Sequence, residues 1–153
     1  MLSNVALTIL LAASPVLELR GAIPIAIFSF GIPPLEAYLL GVVGSSLPVI
    51  PLLIFWNYLY EHTIHKIYFL NRFFSWFFEK TQKKHKNHFD TWKALGLLVF
   101  VAIPMPFTGA WSGTVAAFVF GIPIRKAIPA IVFGNMISGA IVLLLSGTAL
   151  SFL

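Results

Sequence analysis

Two long apolar runs, residues 35–60 and 124–150, restrict the fold of this chain more than any other feature of its sequence. Crossing the hydrocarbon core of a bilayer, about 30 Å, takes about 20 helical residues at a rise of about 1.5 Å each, so either run is long enough. Of the 153 residues, 59% are hydrophobic and only 10% are charged, whereas soluble domains have about 25% charged residues. We therefore expect an all-α integral membrane protein.

Shorter apolar pieces precede each long run and are separated by breaks rich in proline and glycine. In the first half they cover residues 4–14 and 22–31, and in the second half they cover 94–103 and 112–121. About eleven helical residues extend roughly 16 Å, which is about half the thickness of the hydrocarbon core. Each short piece can therefore enter a membrane but cannot cross it alone.

The two halves of the chain resemble each other at an offset of 90 residues. The sequence FSFGIP at 28–33 matches FVFGIP at 118–123, and Gly44 matches Gly134. Such self-similarity indicates an internal repeat. The predicted organisation is a single membrane domain, 1–153, made of repeat 1 (1–60), a linker (61–93) and repeat 2 (94–153).

Two arrangements of the short pieces compete. Each pair can form one kinked helix, giving four ordinary spans, or a re-entrant helical hairpin that enters and leaves on the same side. Cytoplasmic loops are enriched in Lys and Arg, and nine of the ten cationic residues lie at 66–93 and 125–126. Only the hairpin arrangement puts all nine on one side. It also relates the halves as inverted repeats, as in many secondary transporters, and we favour it.

The linker 61–93 carries most of the charge. Its segment IHKIYFLNRFFSWFFEK, 64–80, has apolar residues at helical spacing between polar ones, which predicts an amphipathic helix at the membrane interface. The following TQKKHKNHFD, 81–90, is predicted to be a hydrated loop. Because this basic block lies between apolar segments, we expect it at the cytoplasmic surface next to anionic lipids and expect no nucleic-acid partner.

Glu18 and Arg20 are the charged residues expected at membrane depth. A charge at the bilayer centre costs about 3 kcal/mol on insertion scales, so both need an internal partner or a cavity. Residues i and i+2 face apart on a helix but the same way in extended backbone. The neighbouring Pro15, Gly21 and Pro24 favour a broken helix. Such backbone is tolerated at depth only inside protein or beside a cavity, so we expect a hairpin tip with both charges facing inward.

Two hypotheses explain this pair. In the first, Glu18 and Arg20 form a buried ion pair that locks the hairpin. In the second, which we favour, Arg20 binds an anionic or polar group while Glu18 carries a proton or a cationic substrate.

The corresponding tip of the second half, PMPFTGAWSG at 104–113, has no charged residue. A half-helix that begins near Gly109 would point the positive end of its dipole into the site. The indole of Trp111 can stack on a flat or cationic ligand or simply pack. Together with Glu18 and Arg20, the predicted substrate- or proton-binding residues are Pro104, Pro106, Thr108, Gly109, Trp111, Ser112 and Asn135.

The sequence offers little support for an enzyme or a metal site. The pairs His62/His65 and His85/His88 lack the additional ligands that a metal site needs, and the chain contains no cysteine. A nucleophile at Ser112 would need a nearby base, and all four histidines lie in the linker. We expect no catalytic residue, metal or cofactor. Residues 1–4 carry no Lys or Arg, so a cleaved signal peptide is not expected either.

The segments SPVLELRGAIPIAIFSFGIP at 14–33 and PMPFTGAWSGTVAAFVFGI at 104–122 resemble the small multidrug export protein family of bacteria and archaea. That family is distantly related to the DedA-type, or VTT-domain, membrane proteins. The resemblance implies paired re-entrant hairpins in inverted repeats and a multi-pass protein of the prokaryotic plasma membrane. Glu18 fits the acidic position that DedA-type proteins carry in their first hairpin, whereas the second tip lacks the arginines typical of them.

The expected function is proton-coupled translocation of a small amphipathic molecule or a lipid-like substrate. One alternative is a DedA-like lipid or lipid-carrier flippase. Another is a structural or accessory membrane protein in which the Glu18–Arg20 pair only stabilises the fold. The expected partners are membrane lipids and the substrate, and a homodimer is compatible with so few spans.

Overall fold

The computed structural model describes residues 2–62, 86–105 and 108–150. These residues form seven helices and no β-strand, which confirms the prediction of an all-α fold. The helices are α1 (Leu2–Ala13), α2 (Glu18–Phe28), α3 (Pro34–Ser46), α4 (Val49–His62), α5 (Lys86–Ala102), α6 (Ala110–Val119) and α7 (Ile124–Leu150). The predicted amphipathic helix of the linker lies outside the described residues.

Helix α5 begins before the apolar segment that predicted it. The sequence predicts a hydrated loop over 81–90, but α5 begins at Lys86, so the prediction is wrong for 86–90. Once the apolar turns have formed a helix, each added residue gains a backbone hydrogen bond without a new nucleation step. The helix therefore extends into the polar sequence.

Two helical stretches are long and apolar enough to cross a membrane, Pro34–Leu59 and Ile124–Gly147. The first contains α3 and most of α4, which are separated only at residues 47 and 48. Pro48 has no amide hydrogen and so omits one helical hydrogen bond, but its carbonyl accepts from the Leu52 amide at 3.0 Å. The run predicted as one piece is therefore an interrupted helix.

Large apolar side chains cover much of the outer surface. Leu144 is 70% exposed, and Leu39 and Ile50 on the other long stretch are also exposed. Water disfavours extensive apolar surface of this kind, whereas lipid tails cover it at no cost. Together with the two long apolar stretches, this surface identifies a membrane protein.

In the second half, α5 and α6 are antiparallel, and α7 runs beside α5 in the same direction. Lys93, near the start of α5, donates through Nζ to the carbonyl of Phe120, just after α6, at 2.9 Å. Lys126, at the start of α7, donates through Nζ to the Thr91 hydroxyl at 3.3 Å. Farther along α7, Gly134 packs closely against the C-terminal part of α5. The starts of α5 and α7 and the end of α6 therefore lie at one end of the molecule.

The first half has the same arrangement. In α3, Gly41 packs against Ile23 of α2, and Ala37 packs in a cluster with Ala26, so α2 and α3 are antiparallel. Gly44 of α3 packs against the C-terminal part of α1. Helices α1 and α2 also pack on each other, and a four-residue turn, 14–17, joins them.

The two turns that lead into α3 and α7 share an unusual backbone conformation. Gly31 has a φ of 65° and Gly121 has a φ of 61°, a left-handed region that glycine enters without steric cost. In each turn the following proline, Pro33 or Pro123, accepts at its carbonyl a hydrogen bond of 2.9 Å from the amide four residues later. The sequence match at an offset of 90 residues is therefore also a match of local structure.

Each long helical stretch also packs against the short helices of the other half. Val142 of α7 clusters with Leu19 and Ile23 of α2. In the same way, Trp56 of α4 stacks on Phe118 of α6, with ring centroids 6.2 Å apart. These contacts hold the two short-helix pairs, α1–α2 and α5–α6, in one body and fix how they face each other.

The close approach of α7 to α5 requires glycine at position 134. A Cβ atom there would lie 2.7 Å from the Cβ of Val101 and 3.0 Å from the carbonyl oxygen of Leu98. We expect Gly134→Ala to lower the free energy of unfolding by about 1–3 kcal/mol through overpacking. The melting temperature of the purified protein in detergent measures this. Gly147→Ala on the same helix is the control, because a Cβ at 147 meets nothing within 4 Å. Equal losses for the two variants would contradict the packing described.

Candidate functional site

The two short-helix pairs meet end to end at Glu18 and Arg20. Both residues lie in the first turn of α2 and face the segment that links α5 to α6, of which residues 103–105 and 108–109 are described. Glu18 is only 8% exposed, and the Arg20 side chain is 17% exposed. The prediction that both charges face the interior is confirmed.

The carboxylate of Glu18 binds the N-terminus of α6. The backbone amide of Trp111 donates to Glu18 Oε1 at 3.2 Å. Helix α6 has no capping side chain of its own, because the residue before it is Gly109. The first amides of a helix lack partners and carry a partial positive charge. A carboxylate there contributes about 0.3–2 kcal/mol, so Glu18 acts as the cap that α6 lacks.

Gly109 allows this contact because it has no side chain. A Cβ at position 109 would overlap the Glu18 carboxylate group. The backbone at Gly109 is extended, with φ −102° and ψ −159°, a conformation that other residues adopt readily. Glycine is needed here for space and not for backbone conformation.

Glu18 itself has a left-handed backbone conformation, with a φ of 48°. For a residue with a side chain this conformation costs about 1–3 kcal/mol and persists where the surroundings enforce it, often at functional sites. It brings Glu18 Oε2 within 3.8 Å of Arg20 Nη1. The sequence predicts extended backbone as the reason that the two side chains face the same way. That explanation is wrong, because a left-handed residue followed by helix produces the pairing.

The guanidinium group of Arg20 binds backbone carbonyls that follow the end of α5. Nη2 donates to the carbonyls of Ile103 at 3.2 Å and Thr108 at 2.7 Å, and Nη1 donates to the carbonyl of Met105. Nη2 also lies 2.9 Å from Thr108 Oγ1. Because arginine presents several donors in a fixed plane, this one side chain can donate hydrogen bonds to several carbonyl oxygens along the link.

Glu18 and Arg20 therefore bind helix ends of opposite polarity. The carboxylate faces the positive end of α6, and the guanidinium faces the carbonyl of Ile103, the first residue after α5, and further carbonyls of the link. A buried ion pair is stable only when its other hydrogen-bonding groups are also satisfied. Within the part of the chain that the structure describes, Arg20 Nε is a buried donor without a partner, so the pair keeps one unused donor.

Thr108 and Trp111 extend the network. Thr108 Oγ1 lies 2.6 Å from the carbonyl oxygen of Ile103 and accepts from the Met105 amide at 3.2 Å. The indole Nε1 of Trp111 donates to the carbonyl of Ala13 at 3.0 Å, at the last residue of α1. The link thus contacts the start of α2, and Trp111 contacts the end of α1. Stacking of Trp111 on a ligand stays a prediction.

Other predicted site residues lie in different surroundings. Ser112 Oγ donates to the Gly109 carbonyl at 3.2 Å, within its own helix. The Nδ2 of Asn135 donates to Ser46 Oγ at 3.3 Å where α3 and α7 cross. Pro106 lies outside the described residues. The site thus brings together Glu18 and Arg20 with residues 104, 108, 109 and 111.

A groove of about 330 Å³ opens beside Arg20. It is lined by Arg20, Phe28, Pro104, Val142, Leu145 and Ser146. Apart from the guanidinium group and the hydroxyl of Ser146, the lining is apolar. Sequence reasoning missed the contributions of α7 here, because Val142 and Ser146 belong to the other half of the chain and carry no motif.

A comparison with protein families finds one matching family model. The model described as "Putative small multi-drug export protein" matches residues 18–141, which is most of the chain. The matched segment contains Glu18, Arg20 and the entire link between α5 and α6. No curated protein and no solved structure matches the chain.

The contact between Gly109 and Glu18 can be tested with a double-mutant cycle. Gly109→Ala places a methyl group where the Glu18 carboxylate lies, so we expect it to lower the free energy of unfolding by about 1–3 kcal/mol. In a Glu18→Ala background the same change should cost much less, because the carboxylate is gone. The melting temperatures of the four proteins measure the coupling.

Gly96→Ala on α5 is the control for this cycle, because a Cβ at position 96 meets nothing within 4 Å. It should have the same effect in both backgrounds. If Gly109→Ala is equally destabilising with and without Glu18, the contact does not exist in the folded protein.

Proposed function

This chain belongs to the small multi-drug export protein family, and on that premise we propose that it translocates a small amphipathic substrate across a prokaryotic plasma membrane, coupled to proton movement at Glu18. The observation that carries the proposal is the position of Glu18. Its buried carboxylate joins the two short-helix pairs at the point where they meet. A change in the charge of this one group therefore acts on both halves of the protein.

In this proposal the two short-helix pairs are re-entrant hairpins in inverted repeats. Helices α1, α2 and α6 contain 12, 11 and 10 residues, and the apolar part of the 17-residue α5 covers only 94–102. Each is too short to cross the hydrocarbon core alone. Lys93 and Phe120 bring both outer ends of the second pair to one end of the molecule. The first pair meets it from the opposite direction. Broken helices whose ends meet inside a protein are typical of transporter sites near the membrane midplane.

A proton on Glu18 would weaken the contact between the halves. The ionised carboxylate is attracted to the amide of Trp111, to the positive end of α6 and to Arg20. Protonation removes the charge, and with it most of these attractions. The link between α5 and α6 would then separate from α2 more easily. Repeated protonation and release, from opposite sides of the membrane, would couple proton movement to this opening.

The groove beside Arg20 supports an amphipathic substrate. Its apolar walls suit a hydrophobic body, while Ser146 and Arg20, the polar residues of its lining, can receive a polar group. The two Nη nitrogens of Arg20 already bind carbonyls of the link. A substrate that contacts Arg20 would therefore act on the same contacts that Glu18 protonation weakens.

A structural role for the pair is the second candidate. It is favoured by one observation, which is that the Nη groups of Arg20 bind the protein's own backbone. In that case Glu18 and Arg20 would hold the link in place without taking part in transport.

Glu18→Gln distinguishes the two candidates, because glutamine keeps the size of the side chain but carries no charge and cannot take up a proton. We expect cells of an efflux-deficient bacterium that express the natural protein to accumulate less of an amphipathic dye from a panel that includes ethidium. The Glu18→Gln protein should lose this effect when export is expressed per folded molecule, even though loss of the charge also lowers its melting temperature.

Glu36→Gln is the matched control, because Glu36 is exposed in the first turn of α3 and should tolerate the change with export intact. Export that persists with Glu18→Gln rules out the proposed proton coupling. Loss of abundance and melting temperature, with normal export per folded molecule, would instead support the structural role.

A further inference from the structure

A second groove, separate from the Glu18–Arg20 site, lies between α5 and α7 at the end of the molecule where both helices begin. Its volume is about 300 Å³. One end of its lining is cationic and hydroxylated, with Arg125, Lys126 and Thr91, and the remainder is apolar, including Leu95, Leu98 and Phe133. The proposed transport function does not use this groove.

The position of the two cations is unfavourable for the helix that carries them. Arg125 and Lys126 stand in the first turn of α7, which contains no acidic residue. The N-terminus of a helix is its positive end, where cations are disfavoured. At an offset of 90 residues, the first turn of α3 carries Leu35 and Glu36, and an acid is favourable there. The helix start therefore does not require these cations, and an external anion would relieve their repulsion.

The described acidic side chain close to this end is Asp90, on the first turns of α5. It acts on the ammonium group of Lys93. Burial lowers the pKa of Lys93, and the Asp90 carboxylate opposes this shift only in part. Glu36 lies at the start of α3, which runs antiparallel to α7, and is thus at the other end. Among the described side chains at this end, the three cations Lys93, Arg125 and Lys126 therefore outnumber the one acid, Asp90.

The shape of the groove fits a phospholipid better than a free anion. From Thr91 to Leu98 the groove follows about 10 Å of helix, a large part of the depth of one leaflet of the hydrocarbon core. Phe133 is 55% exposed and Leu95 is 47% exposed, so the apolar part is open to an acyl chain. Arginine binds phosphate oxygens through two parallel donors, and basic pockets between membrane helices commonly hold anionic headgroups.

We propose that this groove binds one anionic phospholipid, with its phosphate on Arg125 and Lys126 and one acyl chain between α5 and α7. The bound lipid neutralises the start of α7 and joins the second short-helix pair to the leaflet from which it enters. Charge complementarity selects an anionic lipid over a zwitterionic one.

Thermal stability in a neutral detergent tests the proposal, since a ligand that binds the folded state raises the melting temperature according to its concentration and affinity. Phosphatidylglycerol added to the purified protein should raise the melting temperature, and phosphatidylcholine should not. The double variant Arg125→Gln/Lys126→Gln should need about tenfold more phosphatidylglycerol for the same shift.

A matched pair of variants separates the groove from general hydrophobicity. Phe133→Ala should weaken the response, whereas Leu144→Ala, which is exposed but outside the groove, should not.

Three results would overturn the proposal. The first is equal stabilisation by the two lipids. The second is an unchanged response of the Arg125→Gln/Lys126→Gln variant. The third is equal stabilisation by glycerol phosphate, which would identify a soluble phosphate as the ligand and exclude a lipid.

Discussion

Helix ends that lie away from water need partners, and the fold depends on how Glu18 and Arg20 supply them. Where α5 ends and α6 begins, carbonyls and amides lack partners within their own helices. Arg20 binds the carbonyl of Ile103, the first residue after α5, and that of Thr108 in the link, and Glu18 binds the amide of Trp111. The dependence is mutual, because two charges removed from water are themselves stable only beside groups of opposite polarity. The two helix ends and the two charged side chains would each be unstable alone, and they stabilise one another where they meet.

The rest of the scaffold brings these groups together. Both halves use the same parts: two short helices, a turn with a left-handed glycine, and a long apolar stretch that packs against the short helices of the other half. The tips are not equivalent, since the first supplies the charges and the second supplies uncharged helix ends and Gly109. A nearly symmetric scaffold thus holds an asymmetric site. A change in one carboxylate can then alter the contact between the halves without disturbing the packing within each of them.

Sequence patterns predicted the parts of this structure that depend on local chemistry. Proline and glycine breaks located most helix ends, the cost of burying charge predicted that Glu18 and Arg20 face inward, and the helix start after Gly109 is confirmed. The partners of Arg20 could not be predicted, because backbone carbonyls have no sequence signature and are selected only by tertiary folding. For the same reason the hydrogen bond from Asn135 to Ser46 could not be predicted, since it depends on how α3 and α7 cross.

We propose that the two short-helix pairs enter the membrane from opposite sides and meet inside it. Because the chain contains no cysteine, single cysteines at Pro34, Asn87 and Lys126 can be labelled with a membrane-impermeant thiol reagent in intact cells. We expect position 34 to be labelled from outside, while positions 87 and 126 are both protected until the cells are lysed. Labelling of positions 87 and 126 from opposite sides of the membrane would contradict it, because the second pair would then cross the membrane as an ordinary span.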